Sequence, residues 1–85
     1  MQKKAPLEVT QAFLEIVENQ IRDNDPPETR ATFERLQGMG HNRQEAIRLI
    51  ACVVGNEIFH VMKHQEPFNQ DRFVTNLGKL PKMPW

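Results

Sequence analysis

The chain has 85 residues, 11 Lys and Arg against 11 Asp and Glu, one cysteine and no tyrosine. That length makes one domain with a small core, and a lone Cys excludes an internal disulfide and points to a reducing compartment, the cytoplasm. Zero formal net charge speaks against a protein built mainly to bind nucleic-acid phosphates or an anionic membrane.

No apolar run approaches the roughly 18 residues of a membrane span, and Met1 to Pro6 does not lead into the apolar stretch of a signal peptide. The first element is predicted as an amphipathic helix over 7–23. Val9, Phe13, Ile16, Val17 and Ile21 recur at helical spacing, with Glu8, Glu15, Glu18 and Arg22 on other faces. Asp23, Asn24, Asp25, Pro26 and Pro27 then form a turn, because a residue before proline is steered away from helical geometry. The same turn opens a second helix over 26–37, with Asp25 as its expected cap, Pro26 in the first position and Glu28 three residues past the cap. Its apolar side, Ala31, Phe33 and Leu36, is thin, so it is expected to lie on the surface. Gly38, Met39 and Gly40 close it.

Asn42 followed by Glu45 is a capping-box pattern, and from there nothing breaks a helix over 43–64 except a tolerated Gly55. Twenty-two residues at 1.5 Å rise make it about 33 Å long, so it is the expected central element. Steps of 100° put Ile47, Ile50, Ala51, Val54, Ile58, Val61 and Met62 on one face. Leu49, Cys52 and Phe59 lie nearly opposite. A helix apolar on two sides must be covered on both. A last helix over 70–77 is announced by Asn69 as cap and by Phe68 and Phe73 as a hydrophobic staple, with Gly78 ending it. The tail over 79–85 holds two prolines and is read as extended. Its Leu80, Met83 and Trp85 either fold back onto the domain or dock on a partner.

Three groups of residues suggest function. Glu57, His60 and His64 share one stripe of the long helix, and two His with one carboxylate form a set that suits Zn²⁺. The plain alternative is a Glu57–His60 side-chain pair with both histidines near the negative end of the helix dipole. No other cofactor is implied. Arg30, Arg35, Arg43 and Arg48 gather around the junction of the second and third helices, as in a helix-turn-helix. Glu28, Glu34 and Glu45 cancel most of their field, and the third helix turns apolar within four residues of its cap, which makes nucleic acid an unfavoured partner. Cys52 has no base beside it in the sequence and reads as a small hydrophobe. The remaining group is apolar surface: Leu49, Cys52, Phe59, Met83 and Trp85 form the expected contact for a second copy or another protein. A C2 dimer is the default symmetry.

The segments Val17-Glu18-Asn19-Gln20-Ile21, Asp25-Pro26-Pro27-Glu28-Thr29, Arg35-Leu36 and Asn42-Arg43-Gln44-Glu45-Ala46-Ile47 are together similar to a family of small bacterial helical domains of unknown function. The resemblance runs over roughly residues 13–81. It implies a bacterial, cytoplasmic, all-helical domain without an assigned activity. Members of that family often carry His-Glu-Ala-x-His where this chain has Gln44-Glu45-Ala46-Ile47-Arg48, and neither histidine is present here. The resemblance leaves Glu18 and Glu45 as a polar pair between the first and third helices. The expected whole is an all-α, compact four-helix domain built around 43–64, serving as a non-catalytic interaction or structural module that self-associates.

Overall fold

The computed structural model describes residues 11–83, and among these it is all-helical. The four helices are α1 (Gln11–Asp23), α2 (Pro27–Gly38), α3 (Arg43–His64) and α4 (Gln70–Lys79). α2 and α3 pack on each other and on both remaining helices, whereas α1 and α4 meet only through them. The predicted first turn over 7–10 lies outside the described residues.

Each connection is explained by local chemistry. Three helices end on a residue in the left-handed region, at Asn24 (φ 52°), Gly40 (φ 105°) and Gln65 (φ 55°). In each, the next N–H reaches back to the last turn: Asp25 donates to the Gln20 carbonyl, His41 to Leu36, and Glu66 to Val61. This pattern satisfies carbonyls that a helix end otherwise leaves open. α3 starts on the expected capping box. Asn42 Oδ1 accepts the Glu45 N–H at 2.8 Å and Glu45 Oε1 accepts the Asn42 N–H at 3.2 Å. Asn69 caps α4 by accepting the Arg72 N–H, and the Phe68 and Phe73 rings stand 5.5 Å apart, as a staple requires.

Two boundaries differ from expectation. Pro26, not Asp25, is the cap residue of α2, and no side chain caps it. Pro27 holds Pro26 in extended geometry (ψ 153°), so the helix begins one residue later and Asp25 stands too far back to cap it. α4 runs through Gly78 to Lys79, because Arg35 of α2 donates to the carbonyls of Leu77 (3.0 Å) and Leu80 (2.8 Å) and holds its last turn.

The core gathers Val17 from α1, Leu36 from α2, six residues of α3 from Ala46 to Val54, Phe73 and Leu77 from α4, and Leu80 just beyond. α2 contributes through Thr29 and Thr32 as well as Leu36, all buried and one helical turn apart. The Thr29 hydroxyl donates to Gln20 Oε1 at 2.8 Å, so its burial leaves no polar group unpaired. Gly55 is needed rather than tolerated: a Cβ there would stand 2.9 Å from the Phe13 ring, which lets α1 lie close on α3.

Candidate functional site

Glu57 is fully buried in the face of α3 that meets α4. Its Oε1 accepts from Arg72 Nε at 2.8 Å, and its Oε2 accepts from Arg72 Nη2 at 2.7 Å and from the Asn69 N–H at 2.9 Å. Burial alone would push the carboxyl up. The Arg72 hydrogen bonds, the Asn69 N–H, and the charges of Arg72 and His60 outweigh it and hold the group below the ordinary Glu range. The same contacts, led by the hydrogen bond to Glu57, raise the Arg72 guanidinium further above its ordinary value. One carboxylate thus ties α4 to α3 in a two-pronged ion pair and also holds an amide at the start of α4.

This arrangement corrects the expected Glu57, His60 and His64 stripe. Both oxygens of Glu57 are already taken. His60 Nε2 faces Glu66 Oε1 at 3.4 Å, and the His60 and His64 rings lie against each other with centroids 4.3 Å apart. Among the described residues no three His, Cys, Asp or Glu side chains are grouped so as to hold a metal ion. The physical reason is angular. Glu57 points toward α4, where a bidentate guanidinium competes for it, while His60 and His64 sit at the solvent rim. The Glu57–His60 side-chain pair expected as the plain alternative is likewise replaced by Glu57–Arg72 and His60–Glu66.

Two of the four arginines near the junction of α2 and α3, Arg35 and Arg43, are employed within the fold. Arg35 clamps α4, and Arg43 Nη2 meets Glu18 Oε1 at 2.7 Å with its guanidinium over the Phe33 ring. The expected Glu18–Glu45 pair therefore does not form: Glu18 takes Arg43, and Glu45 takes the Asn42 amide and faces His41 Nδ1 at 3.6 Å. Between α1 and the start of α3 lies an open groove of about 610 Å³ bordered by Leu14, Glu15, Glu18, Arg43, Gln44 and Arg48. Its walls carry both signs of charge, and the Glu18–Arg43 pair bridges them.

The outer face of α3 is different in kind. Leu49 and Cys52 are half-buried, Leu49 with one side against the core, and Phe59 is 40% exposed; Met62, expected on the inner face, is 72% exposed because it lies near the end of α3, beyond the core residues. The Lys63 ammonium sits 5.9 Å over the Phe59 ring, which leaves part of that ring open to contact. Burial pushes the Cys52 thiol up, with the Arg48 charge pulling weakly the other way, so the nucleophilic thiolate is disfavoured. Of the other residues expected on a contact surface, Met83 instead packs against the core beside Leu80, because Arg35 draws the chain after α4 inward. Trp85 lies outside the described residues.

The expectation from sequence missed Arg35, Arg72 and the Phe13–Gly55 contact. Their partners lie 42, 45 and 15 residues away for the two arginines, beyond any local spacing rule. Asn56, half-buried between Cys52 and Phe59, was legible from its three- and four-residue offsets. Set against known protein families, curated proteins and solved structures, the chain matches none. Among the described residues no helix is long and apolar enough to cross a membrane.

Proposed function

We propose that the chain is a non-catalytic interaction module that associates with itself through the outer face of α3. One observation carries this. The core closes on the inner side of α3 with every buried side-chain polar atom among the described residues satisfied, yet the same helix keeps Phe59, Leu49 and Cys52 incompletely covered on its other side. Exposed apolar surface on a small domain is a common site of association, and burying it adds to a core that is small for its length. The polar residues favour the same reading. The two-pronged contact of Glu57 with Arg72 holds helices together, and burial pushes the Cys52 thiol up, against the nucleophilic thiolate. The likeness to small bacterial helical domains and a cytoplasmic setting belong to this proposal.

The test is sedimentation equilibrium of the purified chain at micromolar concentration. A dimer is expected, and Phe59→Lys is expected to convert it to monomer with the helical circular dichroism unchanged. A folded wild-type monomer would overturn the proposal.

A further inference from the structure

The outer stripe of α3 has an internal order that names its partner. Glu45, Leu49, Cys52, Asn56, Phe59 and Lys63 follow one another at steps of four, three, four, three and four residues. That alternation marks one face of the helix, with Leu49, Cys52 and Phe59 as its apolar centre, and two helices packed side by side meet along such a face. Glu45, Phe59 and Lys63 are exposed, and Leu49, Cys52 and Asn56 are half-buried, Leu49 with one side against the core. The stripe is also symmetric about position 54: Glu45 mirrors Lys63, Leu49 mirrors Phe59 and Cys52 mirrors Asn56. Read backwards it has the same plan with the sign of the end charges reversed.

A two-fold interface must be self-complementary, since one patch meets its own copy. We infer that two copies of this chain pair α3 against α3 in antiparallel register, centred on Val54. Phe59 of each chain then packs beside Leu49 of the other, Cys52 stands opposite Asn56, and Glu45 at one end of the seam faces Lys63 at the other end of its partner. The seam is about 27 Å long at 1.5 Å per residue. A parallel pairing would oppose Glu45 to Glu45 and Lys63 to Lys63, and would stack like on like along the whole stripe. Charge complementarity decides for the antiparallel arrangement. The charged ends are available for it: the Glu45 side chain is 58% exposed while serving the α3 cap, and Lys63 is exposed in the last turn.

This inference rests on the self-association proposed above, and its test separates the two. Dimer dissociation constants are measured by sedimentation for wild type, Lys63→Glu, Glu45→Gln, and Lys63→Glu in the Glu45→Gln background. Gln serves the capping box as Glu does, so α3 keeps its cap. Lys63→Glu is expected to weaken the dimer about tenfold at low salt, because two opposite-charge pairs become like-charge pairs. In the Glu45→Gln background the same change is expected to cost no more than about twofold. Equal weakening in both backgrounds would overturn the antiparallel register while leaving self-association intact. A wild-type monomer would overturn both. As a second measurement, wild type is mixed with Cys52→Ser/Asn56→Cys and oxidised. The mixed disulfide between Cys52 and the new thiol should exceed either self-linked product, whereas dominant Cys52–Cys52 linkage would mean parallel pairing and overturn the inference.

Discussion

The two faces of α3 show how differently one helix can be finished. On the inner face Ile50, Val54 and Glu57 are buried, and even the charge among them is answered by three hydrogen bonds. On the outer face the fold covers less: Leu49 is half-buried with one side against the core, Cys52 is half-buried, and Phe59 is exposed. α1, α2 and α4 all pack on α3, so the helix does not lack neighbours. They gather on its inner side, where six apolar residues from Ala46 to Val54 are buried; Arg72 ties α4 to α3 directly, while Arg35 joins α2 to α4 and Thr29 joins α2 to α1. The difference teaches that a continuous apolar stripe recruits cover and a paired carboxylate at its end fixes the register, whereas the outer stripe, interrupted by Asn56 and ended by Glu45 and Lys63, stays only partly covered.

That contrast can be broken most forcefully at Glu57. Glu57→Gln should cost about 2 kcal/mol in urea unfolding at neutral pH, less than the 3–5 of a wholly buried pair because Arg72 still reaches water. The pH dependence has a definite sign. Glu57 has a lowered folded pKa, so its stabilisation is complete above the ordinary Glu value of 4.5 and is lost as pH falls through the lower folded value. The acid-side loss should be smaller in Glu57→Gln than in wild type. Arg72→Met should reverse that slope: a buried carboxylate without its cation favours the protonated form, so stability falls as pH rises above the ordinary Glu value, where Glu57 leaves the wild type flat; unfolding at a series of pH values would show it.

Arg35 tests the same principle at the other end of α4. Arg35→Ala should cost about 1–2 kcal/mol through two lost charge-assisted hydrogen bonds, and hydrogen exchange should quicken at the last turn of α4 ahead of the rest. Gly55→Ala gains helix propensity of about 1 kcal/mol but must displace the Phe13 ring, and a net loss of about 1 kcal/mol is expected in thermal melts. The smallest effect on folding belongs to the outer face. Phe59→Lys should change the stability of the dilute chain by no more than about 0.5 kcal/mol, although it removes association. A large loss of stability there would erase the distinction between the faces.

Much of this fold was legible in the chain. Asn42 with Glu45, Asn69 with Arg72, Phe68 with Phe73, and the Gly40 turn are signals within a few residues of one another, and the helix ends they mark fall where expected. The start of α2 was misplaced by one residue, because two consecutive prolines offer two positions for the first turn and side-chain capping did not decide between them. The Glu57, His60 and His64 stripe was legible as a spacing but not as a site. Helical offsets say which side chains share a face, and they do not say that a guanidinium from α4 arrives at one of them.

The sequence by itself determined four helices, the Asn42 and Asn69 caps of α3 and α4 and the two-sided apolar character of α3, since these rest on backbone preferences and on contacts between near neighbours. It determined as well the mirrored order of charge along the outer stripe of α3, which is a property of composition and spacing. Only the tertiary structure decided which side of α3 became the core, that Thr29 and Thr32 are interior residues, that Gly55 admits Phe13, and that Met83 turns inward. Each of those depends on groups far apart in the chain meeting at hydrogen-bond or van der Waals distance, and such meetings leave no local trace.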